Sequence, residues 1–322
     1  MGLPSKFDVV IPLTISELSF FLLKNSSRYL YSAGGTQIIP NIKKSLYPNL
    51  DLLVSLSKID EMRFINYKKE SDTLLIGSLT TISEIINSPI IKKVFPSLAI
   101  AGKLIAAPPL QNRATIGGNI SLDTRCLYYN QSANWRSSRK PCYKLGGNVC
   151  NALPGSKKCF AVFSADLPPM LISVDAELEI FNGETFRTIP LKDFYTGDGT
   201  KPNILKTNEV VTQLILKNIS TKISFYEKFR LRNSIDYPLS GVAVGYSKDN
   251  PSNMRIVLNA VDSQPITIDI TNFSKDRLGK ITSIIEKQPK PIANMPSTPE
   301  HRKLLSTTLF QKIIDNFGVT NG

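Results

Sequence analysis

The residues best equipped for chemistry are four cysteines, the only ones among 322 residues: Cys126, Cys142, Cys150 and Cys159, spaced C-x15-C-x7-C-x8-C. Four thiolates suit a soft metal, so the set can hold one zinc ion or one iron–sulfur cluster; two disulfides or four unrelated buried thiols are the other outcomes. The spacing has neither the paired C-x2-C knuckles of zinc sites nor a tight ferredoxin run, and leaves zinc and iron–sulfur level. Disulfides are disfavoured, because MGLPSKFDVVIPLT at the N-terminus lacks the apolar core and cleavage site of a secretory signal. A cytoplasmic, thiol-reducing location is therefore expected.

Two glycine turns form the second set. Ala33-Gly34-Gly35-Thr36-Gln37-Ile38-Ile39-Pro40 follows a predicted strand, and Thr115-Ile116-Gly117-Gly118-Asn119 comes about eighty residues on. Consecutive backbone N–H groups and a hydroxyl at such turns suit phosphate oxygens. Neither turn matches G-x-G-x-x-G or G-x-x-x-x-G-K-[ST], so a Rossmann or P-loop nucleotide site is not indicated. Two turns gripping one pyrophosphate remain. The only histidine, His301, lies in TPEHRKLL, an exposed helix start, which removes histidine-based triads and metal sites. A chain so poor in acid–base groups takes its chemistry from cofactors.

The elements that must position these groups follow from periodicity. Residues 14–25 read as a helix capped by Thr14, and SSRYLYSAGGTQ as a strand entering the first turn. LDLLVSLSKI is a short strand, MRFINYKKESDTLLIGSLTT holds two more, and Thr81 opens a helix. Residues 90–112 read as one buried helix stopping at Pro108-Pro109, and 122–165 as an irregular segment that something must tie together. MLISVDAELEIF and ETFRTIPL form a β pair around Asn182-Gly183, and EVVTQLILKN is a further strand. From residue 219 the pattern becomes a β meander with two helices near 272–287 and 299–317.

The composition is 42% hydrophobic with a formal charge of +13. No apolar run reaches the length of a membrane span, and the lysines are dispersed. Neither a membrane nor a nucleic-acid partner is indicated; steering of acidic protein partners is compatible with the charge.

In order and separation the two turns resemble the flavin-binding medium subunits of the xanthine dehydrogenase and carbon monoxide dehydrogenase family, whose signatures run close to AGGTDLLP and TIGGN. The resemblance extends through DLPPMLISVDAELEI and YEKFRLRNSIDYPLSGVAV and covers nearly the whole chain. It implies an α+β fold: a two-lobed FAD-binding domain of the vanillyl-alcohol oxidase-like type over 1–218 (lobes 1–50 and 51–218), and a small-sheet-and-helices domain over 219–322. Ala33 to Pro40 and Thr115 to Asn119 would embrace the FAD pyrophosphate, Asp166 would hold the adenosine or ribityl side, and Lys228 would lie near the flavin. Ile105 and Val211 fall at apolar positions near it. Gln37 stands where the family usually has aspartate.

Residues 122–165 are an insertion between TIGGN and Asp166, and GGNISLDTRCLYYNQSANWR resembles the 4-hydroxybenzoyl-CoA reductase branch of the family. That resemblance, not the spacing, implies that the four cysteines hold a [4Fe–4S] cluster. It further implies a molybdopterin-containing large subunit and a [2Fe–2S] small subunit, assembled as a dimer of heterotrimers, with ferredoxin as electron donor. The rival readings are a related molybdenum dehydrogenase passing electrons outward, and a zinc-stapled basic binding module without redox chemistry.

Overall fold

The computed structural model describes residues 6–25, 27–232, 235–293 and 297–316. In the first lobe β1 (Asp8–Val10), α1 (Ile15–Lys24), β2 (Tyr29–Ser32), α2 (Ile38–Lys43) and β3 (Leu52–Ser55) form a parallel sheet of order β1-β3-β2. This sheet uses β3, so it runs past residue 50. Thr14 caps α1 by accepting the Glu17 N–H at 3.1 Å, and Leu18 and Leu22, one turn apart, face the core with Tyr29 and Val54. The first glycine turn joins β2 to α2, which places it at the carboxyl end of a parallel strand, where α/β units bind ligands.

The second lobe begins with β4 (Ile65–Lys68) and β5 (Thr73–Gly77). Helix α3 (Ile82–Asn87) carries a capping box, Thr81 with Glu84, and buries Ile82, Ile85 and Ile86. The single helix expected over 90–112 is instead three: α4 (Pro89–Val94), α5 (Pro96–Lys103) and α6 (Pro108–Gln111). Each begins on a proline, which lacks the N–H a continuing helix would need and suits the first helical position.

Next come α7 (Ile116–Ile120), α8 (Ala133–Ser137), α9 (Leu167–Ser173), β6 (Glu177–Phe181), β7 (Phe186–Pro190), β8 (Tyr195–Asp198), β9 (Lys201–Asn203) and β10 (Val210–Lys217). An antiparallel sheet of order β4-β5-β10-β6-β7 is the backbone of this lobe. The Asn182-Gly183 hairpin is present, but MLIS belongs to α9, whose seven residues are all buried, and the hairpin strand starts only at Glu177. The β8–β9 pair was not read from the sequence.

The C-terminal part is a meander, β11 (Lys222–Phe229), β12 (Ser240–Ser247), β13 (Asn250–Asn259) and β14 (Ile266–Ile270), followed by α10 (Leu278–Lys287) and α11 (Pro299–Asn316). Ile281, Ile285, Phe310 and Ile313 pack on Val242, Val244, Ile256 and Leu258. Each such side chain, fully buried, stabilises by roughly 1.5–3 kcal/mol. His301 is exposed in the first turn of α11, its Nδ1 3.0 Å from Ser297 Oγ. The end of the second predicted helix, beyond residue 316, lies outside the described residues.

The irregular segment is closed at its base by an antiparallel bridge: Arg125 N–H donates to Val162 O at 2.8 Å, and Val162 N–H to Arg125 O at 2.7 Å. Beyond the bridge it packs on the C-terminal part, with Cys150, Phe160 and Val162 against Ala260 and Ile292. Among the described residues no helix is long and apolar enough to cross a membrane.

Candidate functional site

The two glycine turns face one cleft of about 660 Å³, within the 300–1,000 Å³ usual for ligand sites. Its walls include Ala33 to Ile38 of the first turn, Thr115, Gly117, Gly118 and Asn119 of the second, and Asp166. Ile105 and Val211 also line it, as do Arg232 and Tyr237 from the C-terminal part. Ile39, Pro40, Ile116 and Lys228 do not. Ile39 and Pro40 belong to α2, and Ile116 points into the core.

The turns differ in what they offer. Among the described residues, the N–H groups of Gly34, Gly35, Thr36 and Gln37 meet no protein acceptor. Gly35, at φ +76°, holds the left-handed bend that turns the chain into α2. This turn is a nest of free donors suited to an anion.

The second stretch is not a turn of free donors but the short helix α7. Ile116 N–H donates to Thr80 O at 2.9 Å, Gly117 N–H to Ser78 O at 2.8 Å, and Gly118 N–H to the capping Thr115 Oγ1 at 3.1 Å. Its glycine at 117 answers to packing, since a Cβ there would stand 2.6 Å from Ser78 Cβ. Gly34 does the same between the turns: a Cβ would lie 1.7 Å from the Arg113 carbonyl oxygen. Replacing Thr115 by alanine, which removes the α7 cap, is expected to cost about 1 kcal/mol. Urea unfolding of the full chain measures it.

Asp166 forms part of the cleft wall, and Lys228 stands behind it rather than in the cleft. The Lys228 ammonium donates to both Asp166 carboxylate oxygens at 3.0 and 3.1 Å, with its side chain 1% exposed. Tyr226 Oη donates to Asp166 Oδ1 at 2.9 Å, and Asn259 Nδ2 donates to Tyr226 Oη at 3.1 Å. Burial pushes the Asp166 carboxyl up, and the Lys228 ammonium opposes it. This network ties α9 to β11 and β13, so the C-terminal sheet holds one wall of the cleft. Sequence reasoning missed Ser164, whose buried hydroxyl lines the cleft without a partner among the described residues. A serine in an apolar run carries no signal that would find it. The free donors of the first turn, the orphan hydroxyl and the cleft volume together fit a large phosphate-bearing cofactor.

All four cysteines line a second, smaller pocket with Tyr128, Tyr129 and Lys144. Their thiols are free; three are buried and Cys126 is half-buried. Cys142 leads into the 3₁₀ turn Tyr143–Leu145, closed by Gly147 N–H donating to Cys142 O at 2.9 Å. Ala161 N–H lies 3.5 Å from Cys159 Sγ, and Tyr129 N–H donates to the Cys126 carbonyl oxygen at 3.1 Å. Burial pushes the Cys159 thiol up to about 11 and raises that of Cys126.

Among the described residues no three His, Cys, Asp or Glu side chains are grouped as the ligands of one metal ion. The four thiols line that pocket together, and four sulfur donors are the ligand set of a soft metal ion or of an iron–sulfur cluster.

The fold and cleft define an α+β protein with a site for a large phosphate-bearing cofactor. Residues 5–216 match the FAD-binding domain of molybdopterin dehydrogenases, and the chain belongs to that family. It is 28% identical over 262 residues to the carbon monoxide dehydrogenase medium chain of Hydrogenophaga pseudoflava, covering 80% of this chain and 76% of that one. To a putative xanthine dehydrogenase FAD-binding subunit of Escherichia coli K12 it is 24% identical over 306 residues, covering 91% and 90%.

Among solved structures, the fold matches carbon monoxide dehydrogenase from Hydrogenophaga pseudoflava lacking the Mo-pyranopterin moiety of its cofactor. The TM-score is 0.76 at 22% identity, covering 99% of this chain and 100% of that one. Quinoline 2-oxidoreductase from Pseudomonas putida 86 gives 0.74 at 18% identity, with 100% of both chains covered.

Proposed function

We propose that this chain is the electron-transferring flavin subunit of a heteromeric molybdenum hydroxylase-type enzyme, with FAD in the cleft and one [4Fe–4S] cluster on Cys126, Cys142, Cys150 and Cys159. The observation that carries this reading is the convergence of four free thiols on one pocket beside a cleft built by both glycine turns. FAD exchanges two electrons with one partner and single electrons with an iron–sulfur centre, so it suits a junction between carriers. In the cleft, the N–H groups of Gly34 to Gln37 would hold the pyrophosphate. Thr115, Asn119, Asp166 and Ser164 would offer side-chain contacts along the rest of the cofactor.

The substrate chemistry belongs in this reading to a molybdopterin-containing large subunit, with a [2Fe–2S] small subunit between. Supporting it, the relatives bear names such as medium chain and FAD-binding subunit. The four-cysteine insertion supports reductive dehydroxylation of 4-hydroxybenzoyl-CoA, with electrons entering from ferredoxin. A second reading, outward flow from an oxidised substrate, is favoured by relatives described as dehydrogenases of carbon monoxide, xanthine and nicotinate. The complex incubated anaerobically with reduced ferredoxin and 4-hydroxybenzoyl-CoA tells them apart: formation of benzoyl-CoA supports the first, and its absence leaves the second.

Anaerobically purified protein is expected to be brown, with one FAD and about four irons per chain. Cys142→Ser is expected to keep the FAD and lose most of the iron. A colourless, zinc-containing protein, or a Cys142→Ser variant with full iron, would overturn the cluster.

A further inference from the structure

We infer that Lys144 is a positioning residue serving both sites, a buried cation that faces the cysteine pocket and sets the reduction potential of the cluster held there. The inference rests on the cluster assignment proposed above.

Lys144 follows Cys142 by two residues and lines the pocket that the four cysteines share. In a segment rich in arginine and lysine it would be expected in solvent, yet its side chain is 6% exposed. Its ammonium donates to Asp123 Oδ1 at 2.6 Å, Thr124 O at 3.0 Å and Thr124 Oγ1 at 2.7 Å. All three N–H donors are thus used, and the charge also sits 4.9 Å from the centre of the Tyr129 ring. A group so held has one position.

Asp123, the counter-charge, lines the other cavity, the flavin cleft. Its backbone is clamped by the first glycine turn: Asp123 N–H donates to Gln37 Oε1 at 3.1 Å, and Gln37 Nε2 donates to Asp123 O at 3.2 Å. Only an amide supplies both contacts; a carboxylate at position 37 could accept but not donate. Gln37, Asp123 and Lys144 therefore form a continuous link from the flavin turn to the thiol pocket, with the negative end toward the cleft and the positive end toward sulfur.

Burying such a pair is expensive, and an apolar pair would hold the loop as well. Its orientation explains it. A cluster on four thiolates is anionic and gains one more negative charge when it accepts an electron. A fixed ammonium beside it favours the reduced form, and the carboxylate behind that ammonium weakens the effect.

The two ends of the pair therefore act in opposite directions. In the anaerobically purified, flavin-loaded full chain, Lys144→Met is expected to shift the cluster midpoint to more negative potential. Asp123→Asn is expected to shift it to less negative potential. A mediated redox titration followed by electron paramagnetic resonance of the reduced cluster reads both shifts, with iron counted for each variant. A pair that only staples the loop would move both midpoints the same way or neither, and that result overturns the inference. Should Lys144→Met lose its iron, the sign of the Asp123→Asn shift still decides. Wild-type chain without iron would sink the cluster assignment itself; iron-loaded protein with unmoved midpoints sinks only the role of Lys144.

Discussion

Alanine at Gly34 is expected to destabilise the chain by about 3 kcal/mol and to weaken FAD binding at least tenfold. The added Cβ would sit 1.7 Å from the Arg113 carbonyl oxygen, and that atom belongs to backbone leading into Thr115. No rotamer change relieves a backbone clash, so the two halves of the cleft must separate. Overpacking of this kind costs about 1–3 kcal/mol and more where the neighbour cannot move. A tenfold loss of affinity needs only about 1.4 kcal/mol of that strain to appear in binding. Urea unfolding and flavin-fluorescence titration of the deflavinated chain measure the two quantities. Gly279 in α10 is the control, because a Cβ there meets nothing within 4 Å. Gly279→Ala is expected to be neutral or to stabilise by up to about 1 kcal/mol. Equal effects at the two positions would contradict the packing explanation.

Lys228→Met is expected to cost about 3–5 kcal/mol, because it leaves the Asp166 carboxylate buried without its counter-charge. Tyr226 still donates to Asp166 Oδ1, but one neutral hydrogen bond does not replace an ammonium shared between both oxygens. The carboxyl would respond by taking up a proton, since burial already pushes it up. Asp166→Asn combined with Lys228→Met is expected to recover a large part of the loss. A double-mutant cycle in urea isolates the coupling. A single Lys228→Met variant within 1 kcal/mol of wild type would show that the pair does not hold the cleft wall.

What the sequence disclosed depended on whether a residue acts with its neighbours or with distant partners. The α1 cap, the helix start at Thr81, the meander and the Asn182-Gly183 hairpin are local, and each is visible as a pattern. The run 90–112 was misread because its apolar residues are nearly continuous, so Pro96 had to be weighed as a helix start rather than tolerated inside one. The glycines at 34 and 117 carry a second requirement that composition does not show. Glycine composition suggests phosphate contact, whereas the close approaches of Arg113 and Ser78 appear only once the chain is folded.

Partners far apart in sequence were not legible as pairs. Asp166 and Lys228 were both singled out, but nothing in their local sequence shows that one neutralises the other across 62 residues. Lys144 was passed over altogether, since a lysine in a basic loop reads as solvated until its burial and its three acceptors are seen.

The bridge between Arg125 and Val162 has a consequence for how such a chain is built. Because the cysteine-bearing segment leaves and re-enters the fold at one pair of residues, its ends are closed by the bridge, and loop length adds little to the entropy of closure. Beyond that bridge the segment is anchored by side chains: Arg136 donates to Lys44 O and Ser45 O, and Lys158 to Gly197 O. The backbone therefore enters the segment at one point while its side chains reach two lobes, and deleting residues 127 to 160 would strip the Lys44 and Ser45 carbonyls and the Asp123 carboxylate of their partners.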